Sequence, residues 1–172
     1  IVRQTAMIAV MAVAMTFVLS AGEIDLSVGA VAGLTTVTVA MAIAIAGPVG
    51  GVLAGLATGL AVGMFNGWLT TRIGIPSFLT TLAMMGIAKG VAMWISDTAA
   101  VPILSPGYSW IFGGGSVGPI PVLMFWMAVI AGVGHVALRR SGFGRKVLAT
   151  GGGEMAARYS GIDTRSTKFK VL

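Results

Sequence analysis

The run Gly142-Phe143-Gly144-Arg145-Lys146 has the residue types of a phosphate cradle but not its layout. A GxxxxGK[ST] loop follows a strand and wraps an anion in backbone amides; here the glycine-to-lysine spacing is wrong and no strand-like run precedes it. Nucleotide hydrolysis is therefore not expected of this chain. His135 is the only histidine, with no HExxH pattern around it, so it reads as a packed or interfacial residue rather than a metal ligand. Glu23 and Asp25 are close in sequence rather than a poised acid–base pair, and no serine has a nucleophile-elbow setting. The absence of cysteine removes thiolate chemistry and disulfides. These types and spacings predict a chain with no catalytic residue, no cofactor and no metal.

The elements that must position the remaining polar residues are membrane helices. The chain has 172 residues, of which 56% are hydrophobic and 9% charged, and a mean hydropathy of +0.97, far from a soluble composition. Its 26 glycines and 11 methionines fit closely packed helices. Short strands of alternating polarity, the mark of a barrel, are missing. The formal charge is +6, and eight of the eleven basic residues are Arg139, Arg140, Arg145, Lys146, Arg158, Arg165, Lys168 and Lys170. Basic residues flanking a span are a topology signal, so the tail is expected in the cytoplasm and no nucleic-acid partner is expected.

Five apolar runs reach or approach the roughly 20 residues a helix needs to cross the hydrocarbon core: 5–21, 28–46, 49–71, 77–96 and 119–138. They predict an all-α, polytopic transmembrane bundle of about five spans, one membrane domain over 1–172. An outer loop is expected at 97–118 and a cytoplasmic segment with a short helix at 139–168. Residues 5–21 look like a signal-peptide core, but Leu19 is too large for the cleavage pattern and more spans follow, so a mature span is expected. Arg72 and 139–172 go inside, and 97–118, which lacks Lys and Arg, goes outside. Parity then puts residue 1 outside, leaves Arg3 there against the bias, and implies an earlier span that this sequence does not carry.

Several polar and glycine positions stand out within this frame. Asp25 and Ser27, in GEIDLS at 22–27, suit the N-cap of the next helix at the membrane edge. The alternative is a discontinuous helix whose terminus faces a translocation cavity. Gly51, Gly55, Gly59, Gly63 and Gly67 recur every four residues on nearly one face, as helix packing requires, and leave open a seam that slides or lines a path. Asn66 either caps backbone groups or meets a passing solute. Lys89 lies about 16 Å into the fourth run at 1.5 Å per residue, and snorkelling past Ser96 or a structural pairing is expected ahead of solute contact. Tyr108, Trp110 and Phe112 read as interfacial anchors or as part of an outer docking surface.

In the tail, Glu154-Met155-Ala156-Ala157-Arg158-Tyr159-Ser160 predicts a short helix ended by Gly161. Glu154 favours the helix start and has Arg158 as its i+4 partner, while Met155, Tyr159 and Ile162 share an apolar stripe. An exposed ion pair contributes about 0 to 1 kcal/mol. Isolated helices below about 12 residues are marginal in water. This helix is therefore expected to dock against something.

The blocks MAVAMTFVLSAGEIDLSVGAVAGL at 11–34, NGWLTTRIGIPSFLTTLAMMGIAKG at 66–90 and GFGRKVLATGGGEMAARYSGI at 142–162, in order and over about two-fifths of the chain, resemble the permease subunit of ribose-type sugar ABC importers. The resemblance implies a bacterial-type inner membrane location and a path for ribose or a related monosaccharide. It also implies a second permease copy, identical or paralogous, an extracytoplasmic sugar-binding protein and a cytoplasmic ABC ATPase. By resemblance Glu154, Ala156, Ala157 and Gly161 belong to the segment that fits a groove on the ATPase, and Met155, Arg158 and Tyr159 go with them. Ile24 to Gly29 resembles the family's signature near the pathway. Glu23 stands where the family often has glycine, adding a charge near that path, and Gly153 where it often has asparagine, removing a cap. The family's chains run on for further spans, so this chain is expected to be a fragment that does not transport alone. The rival expectations are a secondary transporter or channel for a small polar solute, and a membrane scaffold with a recruiting tail.

Overall fold

The computed structural model describes residues 2–172, and they are almost wholly helical. Helices α1 (Val2–Ser20), α2 (Val28–Trp68), α3 (Ser77–Ile95) and α5 (Val122–Arg140) are long and apolar enough to cross a membrane. Their outward faces carry Ile45, Leu53, Leu60, Trp94 and Val133, all exposed, over a thin buried seam of Leu34, Val39, Met84 and Ala88. That arrangement suits lipid as the solvent.

Helix α2 is not one rod. At Gly47 the backbone takes φ 70° and ψ −172°, a conformation essentially reserved for glycine. Pro48 follows, preset for a first helical turn and without an N–H to satisfy. Residues on either side of Gly47 then meet: Gly51 packs against Ile43, Gly55 against Val39, and the Thr38 and Thr58 hydroxyls share a 3.0 Å hydrogen bond. The element is an antiparallel helical hairpin. Its far arm widens into a π-type turn over Leu69–Ile73, which Gly74 closes at φ 88° by returning its N–H to the Leu69 carbonyl.

Helix α1 packs along α5 and α2 along α3, and contacts sort the connections into two ends. At one end Arg3 donates to the Gly114 carbonyl at 2.8 Å. The stretch 97–118 is more than a loop. It holds α4 (Pro106–Ser109), capped by Ser105, a π-type turn over Trp110–Gly114, and the strand Ser116–Val117, which pairs in an antiparallel hairpin with Ile120–Pro121. Tyr108, Phe112 and Trp126 form a ring cluster, and the Trp126 indole donates to the Ile111 carbonyl, while Trp110 stays half exposed.

At the other end lie the 21–27 turn, residues 69–77 and the whole tail. Residues 142–152, read in sequence only as a polar glycine-rich stretch, form helix α6 (Gly142–Gly152). Its cap is Ser141, which accepts from the Gly144 N–H at 2.9 Å, and it buries Val147 and Thr150 beside the Phe143 ring, which stacks on Phe17. This i, i+4, i+7 face outweighed the glycines. Helices α7 (Glu154–Tyr159) and α8 (Thr164–Val171) follow, the second capped by Asp163 accepting from the Ser166 N–H.

The glycine stripe does not act as one seam. Each four-residue step overshoots a full turn by about 40° at 3.6 residues per turn, so the stripe winds around the helix. Gly51 and Gly55 face the other arm of the hairpin, Gly63 and Gly67 face Leu172 and Phe169, and Gly59 has open space. A Cβ at Gly51 would stand 2.4 Å from Ile43 Cγ1. Gly51→Ala is expected to cost about 1–3 kcal/mol, whereas Gly59→Ala should be neutral or stabilising by up to about 1 kcal/mol through helix propensity. Thermal unfolding of the purified protein in detergent compares the two.

Candidate coupling and pathway site

The 21–27 turn carries the first group of candidates. Asp25 Oδ1 accepts from the Ser27 N–H at 2.7 Å and from the Ser27 hydroxyl at 2.6 Å. Asp25 therefore caps the start of α2, and Ser27, already in a helical conformation, makes no capping bond of its own. Asn66 Nδ2 donates to the Ser27 hydroxyl at 3.2 Å, while Asn66 Oδ1, fully buried, has no hydrogen-bond partner among the described residues. Asp25, Ser27 and Asn66, distant in sequence, thus line one cleft of about 160 Å³ with Gly59, Gly63 and Leu172.

Two residues that sequence reasoning passed over hold this turn in place. The Ile24 N–H donates to Ser77 Oγ at 3.1 Å, the Leu26 N–H donates to Thr81 Oγ1 at 3.0 Å, and the Thr81 hydroxyl lies 3.2 Å from the Ile24 carbonyl. A polar pair at i and i+4, directly after Pro76 in an apolar run, was the available signal. Glu23, two residues before Asp25, is 8% exposed, and its carboxylate pairs with Lys168 at 2.6 Å. Lys89 is exposed on α3 and forms no salt bridge among the described residues. His135 is exposed on α5, and no group of three or more His, Asp or Glu gathers to hold a metal among the described residues.

The second group is α7. Gly153, at φ 177°, is extended backbone that separates α7 from α6. At the far end Gly161 takes φ 82°, its N–H returning to the Arg158 carbonyl and that of Ile162 to Ala157, the paired closure of a Schellman motif. Glu154 sits at the centre of a donor cluster. It accepts from the Arg158 guanidinium, from the Thr164 hydroxyl at 3.2 Å and from the Lys168 ammonium at 2.8 Å, and Arg158 Nε donates to the same threonine at 2.9 Å. Ala157 points inward at 4% exposure, while Met155 and Tyr159 point outward at 64% and 85%. Ala156 and Gly161 are exposed, and Ile162 is half-buried. The helix is thus held from beneath, with an apolar pair left bare at i and i+4.

The hydrogen bond from Lys168 holds the Glu154 carboxyl below its ordinary value, against burial and with help from the Lys168 and Arg158 charges. Burial works to lower the Lys168 ammonium, but its bonds to Glu154 and Glu23 outweigh it and hold the group above its ordinary value. A depressed carboxylate stabilises above its unfolded value and a raised ammonium below its own. The cluster's contribution is therefore expected to be full between 4.5 and 10.5, the ordinary values of the two groups. It should fall away as the pH drops through the native Glu154 value or rises through that of Lys168. Protease resistance of the 153–161 segment against pH checks the plateau.

Helices long enough to cross a membrane, with a short helix held at one end and a small cleft at the same end, define a polytopic membrane helix bundle. The chain belongs to the family described as branched-chain amino acid transport system / permease component, which it matches over residues 1–172. It is 37% identical to the inner membrane ABC transporter permease protein YjfF of Escherichia coli over 99% of this chain and 53% of that protein. It is also 37% identical to the ribose import permease protein RbsC of Bacillus subtilis, over 100% of this chain and 53% of the other. With the L-arabinose transport system permease protein AraH of Escherichia coli it shares 36% identity over 92% of this chain and 48% of that one. The chain spans about half the length of the curated relatives it matches. No solved structure matches it. Membership makes this an ABC permease component of the inner-membrane kind rather than an enzyme.

Proposed function

We propose that this chain forms part of the membrane path of an ATP-driven importer for a monosaccharide such as ribose or a related sugar, with α7 as the lever on which a cytoplasmic ATPase pulls. The observation that carries the reading is the bare Met155–Tyr159 pair on a helix whose opposite side is anchored by Ala157, Glu154 and Arg158. An exposed apolar pair on a braced helix suits a groove on a partner. The sugar is supported by relatives whose names specify ribose and L-arabinose.

In this reading 139–172 lies in the cytoplasm, the outer end holds Arg3 and 97–118, and an extracytoplasmic binding protein delivers the solute there. A second permease copy, the same chain or a paralogue, completes the path. Asp25, Ser27 and Asn66 line the inner part of the path. ATP binding closes the ATPase dimer, α7 moves with it, and the helices rock about the cleft. Reconstitution with ATPase and binding protein tests this: ATP-dependent accumulation of labelled ribose or arabinose is expected. Uptake indifferent to ATP and to the binding protein would point instead to a channel or secondary transporter.

A further inference from the structure

We propose that the Glu23–Lys168–Glu154 bridge is the transmission strut of this permease, with Lys168 the positioning residue that carries movement of α7 to the turn lining the cleft; this rests on the importer reading above. Gly153 breaks the helical backbone before α7 and Gly161 turns it after, so α7 is continuous with neither α6 nor α8. The Lys168 ammonium bypasses both, lying 2.8 Å from Glu154 Oε2 and 2.6 Å from Glu23 Oε1. The Lys168 and Glu23 side chains keep 20% and 9% of their exposure, so this pair is shielded from the water and salt that loosen surface pairs.

Each end of the bridge leads to something rigid. Helix α8 bears on the hairpin through Phe169 and Leu172, against Gly67 and Gly63. Glu23 belongs to the same turn as Asp25 and Ser27, which Ser77 and Thr81 pin to α3. The four charges, Glu23, Glu154, Arg158 and Lys168, sum to zero. Removing Lys168 leaves Glu154 with Arg158 but leaves Glu23 without an ion-pair partner among the described residues.

The test uses the assembled complex of permease, ATPase and binding protein with an environment-sensitive fluorophore on Leu26→Cys, which reads the turn whatever the solute. In Glu23→Gln and Lys168→Met, ATP hydrolysis is expected to stay within about twofold while the ATP-driven signal falls at least about fivefold, and the double variant should be no worse than either single. A full signal in the single variants, or a double variant whose loss is the product of the two, overturns the strut. Lys168→Met leaves a buried lone carboxylate and is the variant at risk of misfolding. The neutral double avoids that, and a double that assembles with the full signal also overturns the proposal. If the unmodified complex never associates with an ATPase, the importer reading falls and the strut with it, an outcome recognisable because it precedes any substitution.

Discussion

Glu154→Arg is expected to lower ATP-driven uptake by about 100-fold, equivalent to about 2.7 kcal/mol, while the protein still inserts in the membrane. The side chain accepts from Arg158, Thr164 and Lys168 at once. Reversal puts a third cation beside the half-exposed Arg158 and the more shielded Lys168, removes their shared acceptor and places positive charge at a helix start. Helix α7 then loses its mount on α8 and is free to shift in any groove it occupies. Glu154→Gln, which keeps an acceptor, should fall much less. Uptake and co-purification of the ATPase, measured side by side, separate lost coupling from lost protein. Normal uptake with normal ATPase association would remove α7 from the mechanism.

Gly151→Val is expected to damage folding severely. A Cβ at this position would stand 2.0 Å from the Ser20 carbonyl oxygen and 3.1 Å from the Ala21 carbonyl carbon. These are backbone atoms at the end of α1, where Ala21 and Gly22 return their N–H groups to Phe17, Val18 and Leu19. They have little freedom to yield, and the contact is the place where α6 rests on the membrane helices. A loss of about 3 kcal/mol or more is expected, seen as a lower unfolding midpoint and reduced membrane yield. The neighbouring Gly152 has nothing within 4 Å of its Cβ position, so Gly152→Ala serves as the control that should change little.

Both predictions show where sequence reading reached and where it stopped. The helical bundle was legible because spans in lipid require long apolar runs, and Gly47-Pro48 and Gly161 marked their breaks through backbone chemistry that few residues satisfy. The Glu154–Arg158 pair followed from a local i, i+4 spacing. What was not legible depended on partners far apart in sequence. Nothing local tells Lys168 that it meets Glu23, or Ser77 and Thr81 that they hold the turn before α2. The glycine stripe was visible, but its drift around the helix divides it between two neighbours, and which neighbours is a tertiary matter. Helix α6 was obscured by its glycines, of which Gly144 and Gly151 allow close backbone approach.

Site-specific photo-crosslinking from Tyr159 in intact cells tests the central claim most directly, because that side chain is the most exposed apolar group on α7. Capture of a nucleotide-hydrolysing subunit is expected, and no such capture from Trp94, which is exposed on α3. Failure to capture any ATPase from position 159, or labelling of that position by a membrane-impermeant reagent added outside the cell, would contradict it.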